Sequence, residues 1–198
     1  MRVGMYGGSF NPPHNRHLYL ANEVSRFLSL DKLVIIPSNI SPQKDNNGNI
    51  DPAHRINMCK EVFSDALFEV SDCEIARGGK SFTFDTLCFL KELYPDSELF
   101  LLMGSDMLLS FHTWYRHEDI LKMCTICAIS REDDENASVL KEYSERMLSS
   151  GNVRIVDIKP FEVSSSQIRE NLKNGISCQG LLCEKTEKYI KENGLYGK

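Results

Sequence analysis

The chain lacks long apolar runs and an excess of positive charge. None of its apolar stretches approaches the ~20 residues that a helix needs to span a bilayer, and no charged leader with an apolar segment precedes its first predicted strand. Lys and Arg together number 23 against 28 Asp and Glu, for a formal net charge of −5. A general nucleic-acid binder is expected to be basic. We therefore expect a cytoplasmic protein with no membrane or nucleic-acid partner, in which any basic patch is local and suits a small anion.

Metal-ligand spacing is lacking as well, although the chain has 7 cysteines and 5 histidines. The cysteines are odd in number and fall mostly inside apolar stretches, as reduced core residues do. Cys124 and Cys127 form a Cys-x-x-Cys pair inside a β-prone run over residues 124–129, and residues three apart on a strand point to opposite faces. The histidines give no zinc spacing with this pair. We therefore predict reduced thiols and no protein-bound metal.

What the chain does have is an alternation of apolar, β-prone runs with patterns of helical period. At 198 residues and 41% hydrophobic, it is long enough to bury roughly 70% of its unfolded surface in one core. The patterns predict strands at residues 3–6, 33–36, 68–71, 99–103, 125–129 and 153–158, and helices at 18–28, 53–66, 84–93, near 107, 140–148, 168–172 and 186–191. Such alternation is typical of an α/β protein with a doubly wound parallel sheet. We predict a single domain over residues 1–198 that ends in a small helical part.

The first predicted strand leads into a glycine turn and then a helix start that carries two imidazoles. The segment reads Gly7-Gly8-Ser9-Phe10-Asn11-Pro12-Pro13-His14-Asn15-Arg16-His17. Glycine allows the backbone to approach a ligand closely. His14 and His17 are three residues apart, so on a helix they would share one face at its first turn, where backbone N–H groups and the positive dipole end favour an anion. The segment predicts a polyphosphate site.

A second anion-binding element follows the last predicted strand. The segment Ser164-Ser165-Ser166-Gln167-Ile168-Arg169 is typical of a serine-capped helix start with an arginine one turn in. Its hydroxyls, helix N–H groups and guanidinium are all donors to an anion. In a doubly wound sheet both helix starts face the crevice at the carboxyl ends of the strands. We therefore expect the two segments to bind one ligand together.

These two segments resemble the two signatures of the nucleotidylyltransferase superfamily, His-x-Gly-His and Ile-Ser-Ser-Thr-x-Ile-Arg. Several further stretches resemble one branch, the bacterial nicotinate mononucleotide adenylyltransferases. They are Ile36-Pro37, Ser41-Pro42-Gln43-Lys44, Arg55 with Met58, the run from Glu74 to Leu87, Gly104-Ser105-Asp106-Met107-Leu108, Trp114 and Leu195-Tyr196. The resemblance is collinear over residues 3–196 and implies a Rossmann-like nucleotidylyltransferase fold.

The resemblance implies transfer of AMP from ATP to nicotinate mononucleotide, giving nicotinate adenine dinucleotide and pyrophosphate in NAD synthesis. Mg²⁺ would arrive with ATP and be held mainly by phosphates and water. The expected catalytic residues are His14, His17, Lys44 and Arg169. The wider set expected around ATP is Gly8, Ser9, Phe10, His14, His17, Gly104, Asp106, Ser164, Ser165 and Arg169, and the set around the acceptor is Asn39, Thr83, Trp114 and Arg131.

Some of these residues have a second interpretation. Thr83 is a predicted N-cap of a helix whose start suits the carboxylate of nicotinate. Trp114 is the single tryptophan of the chain, and it would either stack on the pyridine ring or serve as a core aromatic. Asp106 would accept hydrogen bonds from ribose or adenine, or simply cap a helix, and Arg131 would lie near the acceptor or in solvent.

The sequence departs from the family pattern at four positions. Arg16 stands where the first motif has a glycine close to the adenine, so its side chain would either crowd the base or stack on it. The polar loop over residues 37–52 is a predicted mobile flap that carries Lys44. Gln43 in this loop replaces the histidine that usually precedes the lysine in the family. Phe82 replaces a common tyrosine, and Ser166 replaces a threonine.

Two alternatives remain open from sequence. In the first, the chain is an adenylyltransferase whose acceptor is nicotinamide mononucleotide or phosphopantetheine instead of nicotinate mononucleotide. In the second, it is a non-catalytic nucleotide-binding module in which Arg16 blocks productive binding of ATP. The joint presence of His14, His17, Lys44 and Arg169 argues against the module, because a retired site has no reason to keep its phosphate donors together. The sequence leaves a homo-oligomer open.

Overall fold

Six parallel strands form one sheet in the computed structural model of the chain, which describes residues 1–42, 48, 50–130, 142, 153–158 and 163–197. The strands are β1 Arg2–Gly8, β2 Lys32–Pro37, β3 Phe68–Val70, β4 Glu98–Gly104, β5 Thr125–Ser130 and β6 Val153–Asp157. They lie in the order β3-β2-β1-β4-β5-β6, and every adjacent pair is parallel. The chain moves outward from β1 to β3 and then returns to the other side of β1. Ligands bind at such a reversal, in the crevice outside the carboxyl ends of the strands.

Helices cover both faces of the sheet. They are α1 Asn15–Leu28, α2 Pro52–Val62, α3 Cys73–Arg77, α4 Thr83–Leu93, α5 Ser105–Leu109, the 3₁₀ turn Phe111–Thr113, α6 His117–Met123, α7 Ser165–Lys173 and α8 Glu184–Glu192. Strand side chains alternate between two apolar clusters, one shared with α1 and α2 and the other with α4, α5 and α6. A strand buried on both faces has a nearly continuous apolar sequence, as β2, β4 and β5 do. The predicted doubly wound α/β fold is confirmed.

The two C-terminal helices pack on α2 and form a third apolar cluster. Met58 from α2 lies in this cluster with Ile168 of α7 and Ile190 of α8. At its edge the Tyr189 hydroxyl lies 2.9 Å from Nδ1 of His54 and accepts a hydrogen bond from Asn57 Nδ2 at 3.0 Å. This packing fixes α7 and α8 against the half of the sheet that holds β1 and β2.

The predicted strands and most predicted helices agree with the structure to within a few residues. The helix predicted over 53–66 ends at Val62, because Phe63 leaves the helical region with φ −104° and ψ 60°. The sequence analysis missed α3 and α6, which have 5 and 7 residues and are too short to show a clear helical period. The predicted helix over 140–148 and the loop residues around Lys44 lie outside the described residues.

The Cys-x-x-Cys pair is divided between the two faces of the sheet. Cys124 ends α6 and packs in the cluster with α4, while Cys127 on β5 packs in the cluster with α1. The strand therefore begins at Thr125 as predicted, with Cys124 just before it, and the opposite orientation of the two sulfurs is confirmed. Within the described ranges, no three His, Cys, Asp or Glu side chains converge as a metal site. No helix there has the length and apolar character that a membrane crossing requires.

Candidate active site

A cavity of about 710 Å³ lies at the carboxyl ends of β1 and β4, where the strand order reverses. Its lining includes residues from both predicted anion-binding segments and from the turn after β4. The predicted site residues that line it are Gly8, Ser9, Phe10, His14, His17, Gly104, Asp106, Ser164, Ser165, Arg169, Thr83 and Trp114. The structure therefore brings residues from widely separated parts of the sequence to one crevice.

The turn after β1 is shaped by Gly8 and Phe10. Phe10 adopts a left-handed backbone with φ 46° and is buried. A Cβ added at Gly8 would lie 3.2 Å from Cε2 of Phe10, so any larger residue would crowd the ring. The Phe10 ring also packs edge-on against the His17 imidazole, with 5.0 Å between ring centroids. The turn thus supports the wall on which His17 sits.

The two imidazoles form a stacked pair at the start of α1. Their centroids are 3.7 Å apart and their planes meet at 24°. His14 is the N-cap residue, with an extended backbone at φ −147° and ψ 172°, whereas His17 is the third residue of the helix. The expectation that both would share a face within the helix is therefore wrong for His14. The rings meet because an extended N-cap residue points its side chain back over the first turn.

Hydrogen bonding and burial set the protonation of this pair. The His14 backbone N–H donates to Nδ1 of His17 at 3.2 Å, so a neutral His17 carries its proton on Nε2. Burial of His14, together with the positive charge of Arg16, lowers its pKa from 6.5 to about 4. His14 is therefore neutral at pH 7. A neutral imidazole donates a hydrogen bond to an oxyanion without placing a full charge in the wall of the cavity.

The second segment binds the turn after β1 directly. Ser165 Oγ donates to the carbonyl of Pro12 at 2.8 Å, and Arg169 Nη1 donates to the carbonyl of Asn11 at 2.8 Å. Arg169 Nη2 also donates to Ser166 Oγ at 3.1 Å. The prediction that the two segments meet at the same end of the sheet is thus confirmed. Both residues hold backbone of the turn as well as lining the cavity.

Ser164 has a local role that the sequence indicated. It is the N-cap of α7, and its Oγ accepts a hydrogen bond from the backbone N–H of Gln167 at 3.2 Å. This bond satisfies one of the backbone donors that a helix start leaves without a partner. A contact between Ser164 and a phosphate stays a prediction.

At the end of β4, Gly104 allows a carboxylate to fold back over the backbone. A Cβ on Gly104 would lie 2.5 Å from Oδ1 of Asp106, a distance that only glycine permits. Asp106 lies in the first turn of α5, and Gly104 takes the N-cap position with no side-chain hydrogen bond. The Asp106 carboxylate lines the cavity. Its contact with ribose or adenine stays a prediction.

A second cavity, of about 390 Å³, lies at the start of α4. Thr83 and Trp114 line both cavities, and Phe82 and Tyr115 line this one. Phe82 is the N-cap of α4, so the prediction of Thr83 as the cap is wrong. Thr83 is instead the first helical residue. Because Phe82 has no side-chain acceptor, the first-turn N–H groups of α4 receive no hydrogen bond from the N-cap side chain.

Three predicted acceptor residues differ in where they lie. Trp114 packs against Phe111 of the core, with 5.5 Å between ring centroids, and also lines both cavities; its stacking on the pyridine ring stays a prediction. Asn39 does not line either cavity. Its Nδ2 donates to the carbonyl of Gly79 at 2.9 Å, which supports the loop before α4. Arg131 and the catalytic candidate Lys44 lie outside the described residues.

Arg16 lines the main cavity from the second position of α1. Its positive charge helps to lower the pKa of His14 and opposes the burial that raises the pKa of Tyr6. The side chain that replaces a glycine of the family motif is therefore directed to the same end of β1 as the two imidazoles.

Comparison with known proteins identifies the family. Residues 5–171 match the cytidylyltransferase-like family. The chain is 36% identical over 196 residues to the nicotinate-nucleotide adenylyltransferase of Bacillus subtilis (strain 168), covering 98% of each chain. This chain belongs to the nicotinate-nucleotide adenylyltransferase family. The fold is also similar to that of the Plasmodium falciparum nicotinic acid mononucleotide adenylyltransferase complexed with NaAD, at a TM-score of 0.78, 18% identity and coverage of 98% and 97% of the two chains. The same parasite enzyme complexed with APC gives a TM-score of 0.78 at 19% identity, with coverage of 98% and 96%.

In this member of the adenylyltransferase family, Arg55 is a site residue whose role the sequence analysis missed. Its side chain is 1% exposed, and its Nη1 donates to the carbonyls of Ser9 at 2.8 Å and Ser38 at 2.7 Å. Burial lowers the pKa of the guanidinium. Arg55 thereby ties the turn after β1 to the residue after β2. The resemblance included Arg55 with Met58 but implied no role for it, and the local signal was an arginine on the buried face of α2 that also holds Met58 and Cys59.

A buried carboxylate supports the start of α4 in this adenylyltransferase family member. Glu74 is 4% exposed and accepts a hydrogen bond from Thr86 Oγ1 at 2.7 Å. Arg77 Nη2 donates to the same hydroxyl at 3.0 Å, and burial raises the pKa of Glu74. This network holds α3 against α4 and so fixes the helix start that borders the second cavity.

Proposed function

We propose that the protein transfers AMP from ATP to nicotinate mononucleotide, releasing pyrophosphate and forming nicotinate adenine dinucleotide in NAD biosynthesis. The observation that carries the proposal is the stacked pair of His14 and His17 at a helix N-terminus, joined in one cavity by Arg169 from the far end of the chain. The relative from Bacillus subtilis, with its name and near-complete coverage, supports this activity.

The transfer is an in-line displacement at the α-phosphorus of ATP. A phosphate oxygen of the mononucleotide attacks, the bond to the bridging oxygen breaks, and pyrophosphate leaves with that electron pair. The attacking oxygen is already ionised near neutral pH, so the site needs orientation and charge stabilisation rather than a strong base. The donor-rich lining of this cavity suits that requirement.

Each donor has a proposed position along the triphosphate. His14 and His17 donate to the bridging and α-phosphate oxygens, where negative charge develops as the bond breaks. Ser164, Ser165, Arg169 and Lys44 bind the β- and γ-phosphates. A guanidinium has five N–H donors, and Arg169 uses Nη1 and Nη2 on the protein while lining the cavity. ATP enters as its Mg²⁺ complex, and the ion is held mainly by phosphates and water.

The second cavity is the proposed site of the nicotinate ring. The first-turn N–H groups of α4 and the positive end of its dipole favour a carboxylate over a neutral amide. Trp114 lies at the boundary of both cavities, where its ring can stack on the pyridine while the ribose phosphate reaches His14. A preference for the nicotinate over the nicotinamide mononucleotide follows from this placement. The cytoplasmic location of the protein and its assembly into a homo-oligomer stay predictions.

The experiment is release of pyrophosphate from MgATP, with nicotinate mononucleotide, nicotinamide mononucleotide and phosphopantetheine supplied separately. We expect turnover with the nicotinate form well above that with the other two. Equal turnover of the two pyridine mononucleotides would contradict the carboxylate site at α4. No turnover with any of the three acceptors, in a protein that still binds an ATP analogue, would favour the non-catalytic binding module.

A further inference from the structure

Tyr196, close to the end of the chain, contacts the turn after β1 (residues 9–14), which we call the phosphate-binding turn. Its Oη donates to Oδ1 of Asn11 at 2.6 Å. Asn11 is 3% exposed and lies between the buried Phe10 and the catalytic candidate His14. The hydrogen bond therefore joins the C-terminal segment after α8 to the residues that carry the first imidazole.

Asn11 is held through both its backbone and its side chain. Arg169 Nη1 donates to the carbonyl of Asn11 at 2.8 Å, while Tyr196 holds the carboxamide oxygen. The carboxamide nitrogen in turn donates to the carbonyl of Gly48 at 3.1 Å. Because the carboxamide is bonded at both its oxygen and its nitrogen, loss of the Tyr196 hydroxyl leaves a buried oxygen without that donor and changes the side-chain orientation.

The backbone of Tyr196 is adapted to this contact. It has φ 63°, a left-handed conformation that a non-glycine residue adopts at a cost in free energy. The backbone N–H of the preceding Leu195 donates to the carbonyl of Ile190 at 3.0 Å, which anchors the segment to α8. The ring lies against the C-terminal apolar cluster, so the surrounding packing maintains the strained residue.

We propose that Tyr196 is a positioning residue for catalysis, which acts through Asn11 to hold the phosphate-binding turn and His14 in the geometry of adenylyl transfer. The inference rests on the proposed function, and it assigns a role to the C-terminal segment that apolar packing alone does not require. Small displacements of groups that orient a reacting phosphate reduce turnover strongly, because in-line reactions depend on alignment.

The test compares Tyr196→Phe with Tyr189→Phe, a matched control. Both tyrosines lie in the C-terminal part, and both variants lose hydroxyl hydrogen bonds, but the Tyr189 hydroxyl bonds to His54 and Asn57 of α2 and not to Asn11. We expect both variants to lower the midpoint of thermal unfolding by a few degrees. Only Tyr196→Phe should lower kcat, by about tenfold, and weaken binding of a non-hydrolysable ATP analogue. The KM for the acceptor should change less than kcat.

A double-mutant cycle with Asn11→Ala shows whether the loss of kcat in Tyr196→Phe is transmitted through Asn11. Asn11→Ala removes the same hydrogen bond from its other side, so Tyr196→Phe should cause no further loss of kcat in that background. The proposal would be overturned if the two substitutions lowered kcat by factors that multiply in the double variant. It would also be overturned if Tyr196→Phe kept the kcat and the analogue affinity of the wild type despite its lower stability. If the wild-type protein released no pyrophosphate with any acceptor, the proposed function would fail, and the analogue affinities would still decide the role of Tyr196.

Discussion

At the scale of single residues, the two imidazoles are prepared in different ways to donate hydrogen bonds. Burial and the positive charge of Arg16 lower the pKa of His14, so its ring is neutral at pH 7. The backbone N–H of His14 donates to Nδ1 of His17, which leaves Nε2 of His17 to donate to a ligand. Donors fixed in this way are suited to stabilise negative charge that develops on a phosphate oxygen.

Replacement of His17 by alanine should lower turnover with ATP by ~10² or more, because a preorganised donor to the transferring phosphate is typically worth that much. The fold should persist, since His17 lies on the first turn of α1 and not in the core formed by Ala21, Val24 and Leu28. Steady-state kinetics and circular dichroism check both statements. His112→Ala, at an exposed position of the 3₁₀ turn, is the control and should retain full activity. Substantial activity in a folded His17→Ala protein would refute the assignment.

The buried His14 should make the stability of the fold depend on pH. Its pKa is about 4 in the folded protein and 6.5 in the unfolded chain, so the unfolded state binds more protons between these values. The free energy of unfolding should therefore fall as pH decreases from 6.5 towards 4, by about 3 kcal/mol at 1.36 kcal/mol per pKa unit. Urea unfolding across this range measures the slope. His14→Gln should reduce that slope, and an unchanged slope would show that other groups cause it.

A substitution of Arg16, which stands where the family motif has glycine, shows whether its side chain stacks on the adenine or crowds the pocket. Its guanidinium lines the cavity near His14, where its plane can lie over the adenine. We expect Arg16→Gly to weaken binding of a non-hydrolysable ATP analogue by about 0.5 to 2 kcal/mol, the range for cation–π contacts. Calorimetric titration of the two proteins measures the difference. Tighter binding by the glycine variant would mean that the side chain crowds the pocket.

At the scale of elements, α7 and the turn after β1 act as one unit. Two hydrogen bonds from Ser165 and Arg169 to backbone carbonyls join them, at 2.8 Å each. A ligand that binds both elements therefore meets donors whose relative positions are already set. Preorganisation of this kind lowers the entropy that binding and reaction would otherwise cost.

We expect Arg169→Lys to damage this unit, chiefly through a higher KM for ATP. A point ammonium cannot reproduce the planar fork that contacts Asn11 and Ser166 with separate nitrogens while lining the cavity proposed for the phosphates. Kinetics with ATP varied at saturating acceptor measure the change. Lys173→Arg, at the exposed end of α7, is the control and should leave KM unaltered. Unchanged kinetics in Arg169→Lys would remove the second anion site from the account.

The elements differ in how far the sequence could predict them. Continuous apolar runs such as Leu99–Met103 predicted strands correctly because both faces of the sheet are buried there. The short helices α3 and α6 were missed because 5 and 7 residues carry too little periodic signal. The N-cap of α4 was misassigned because Thr83 is the better capping residue by type, yet the helix begins one position earlier than predicted, at Thr83, with Phe82 as its N-cap.

At the scale of the whole molecule, the site depends on contacts between distant parts of the chain. The resemblance predicted most of the described site residues that line the cavity, and it included Arg55 and Tyr196, but it gave no role to either of them. Arg55 is buried beneath the turn, and the bond from Tyr196 to Asn11 joins residues 185 positions apart. Such long-range hydrogen bonds have no periodicity or local motif, so only the folded structure reveals them.

The sheet topology explains why these distant parts meet. The return of the chain from β3 to β4 places the carboxyl ends of β1 and β4 side by side, and α7 follows β6 back to the same edge. The crevice at this reversal reaches both the start of α1 and the start of α4, where we propose that the triphosphate and the pyridine bind.

The central claim, transfer of the adenylyl group, is tested most directly by following the α-phosphate of ATP. ATP carrying radioactive phosphorus at the α-position is incubated with the protein, Mg²⁺ and nicotinate mononucleotide, and the products are separated. We expect the label to appear in nicotinate adenine dinucleotide in equal amount to the pyrophosphate released. Label that is recovered as AMP, or that remains in ATP while a folded protein binds both substrates, would contradict the account.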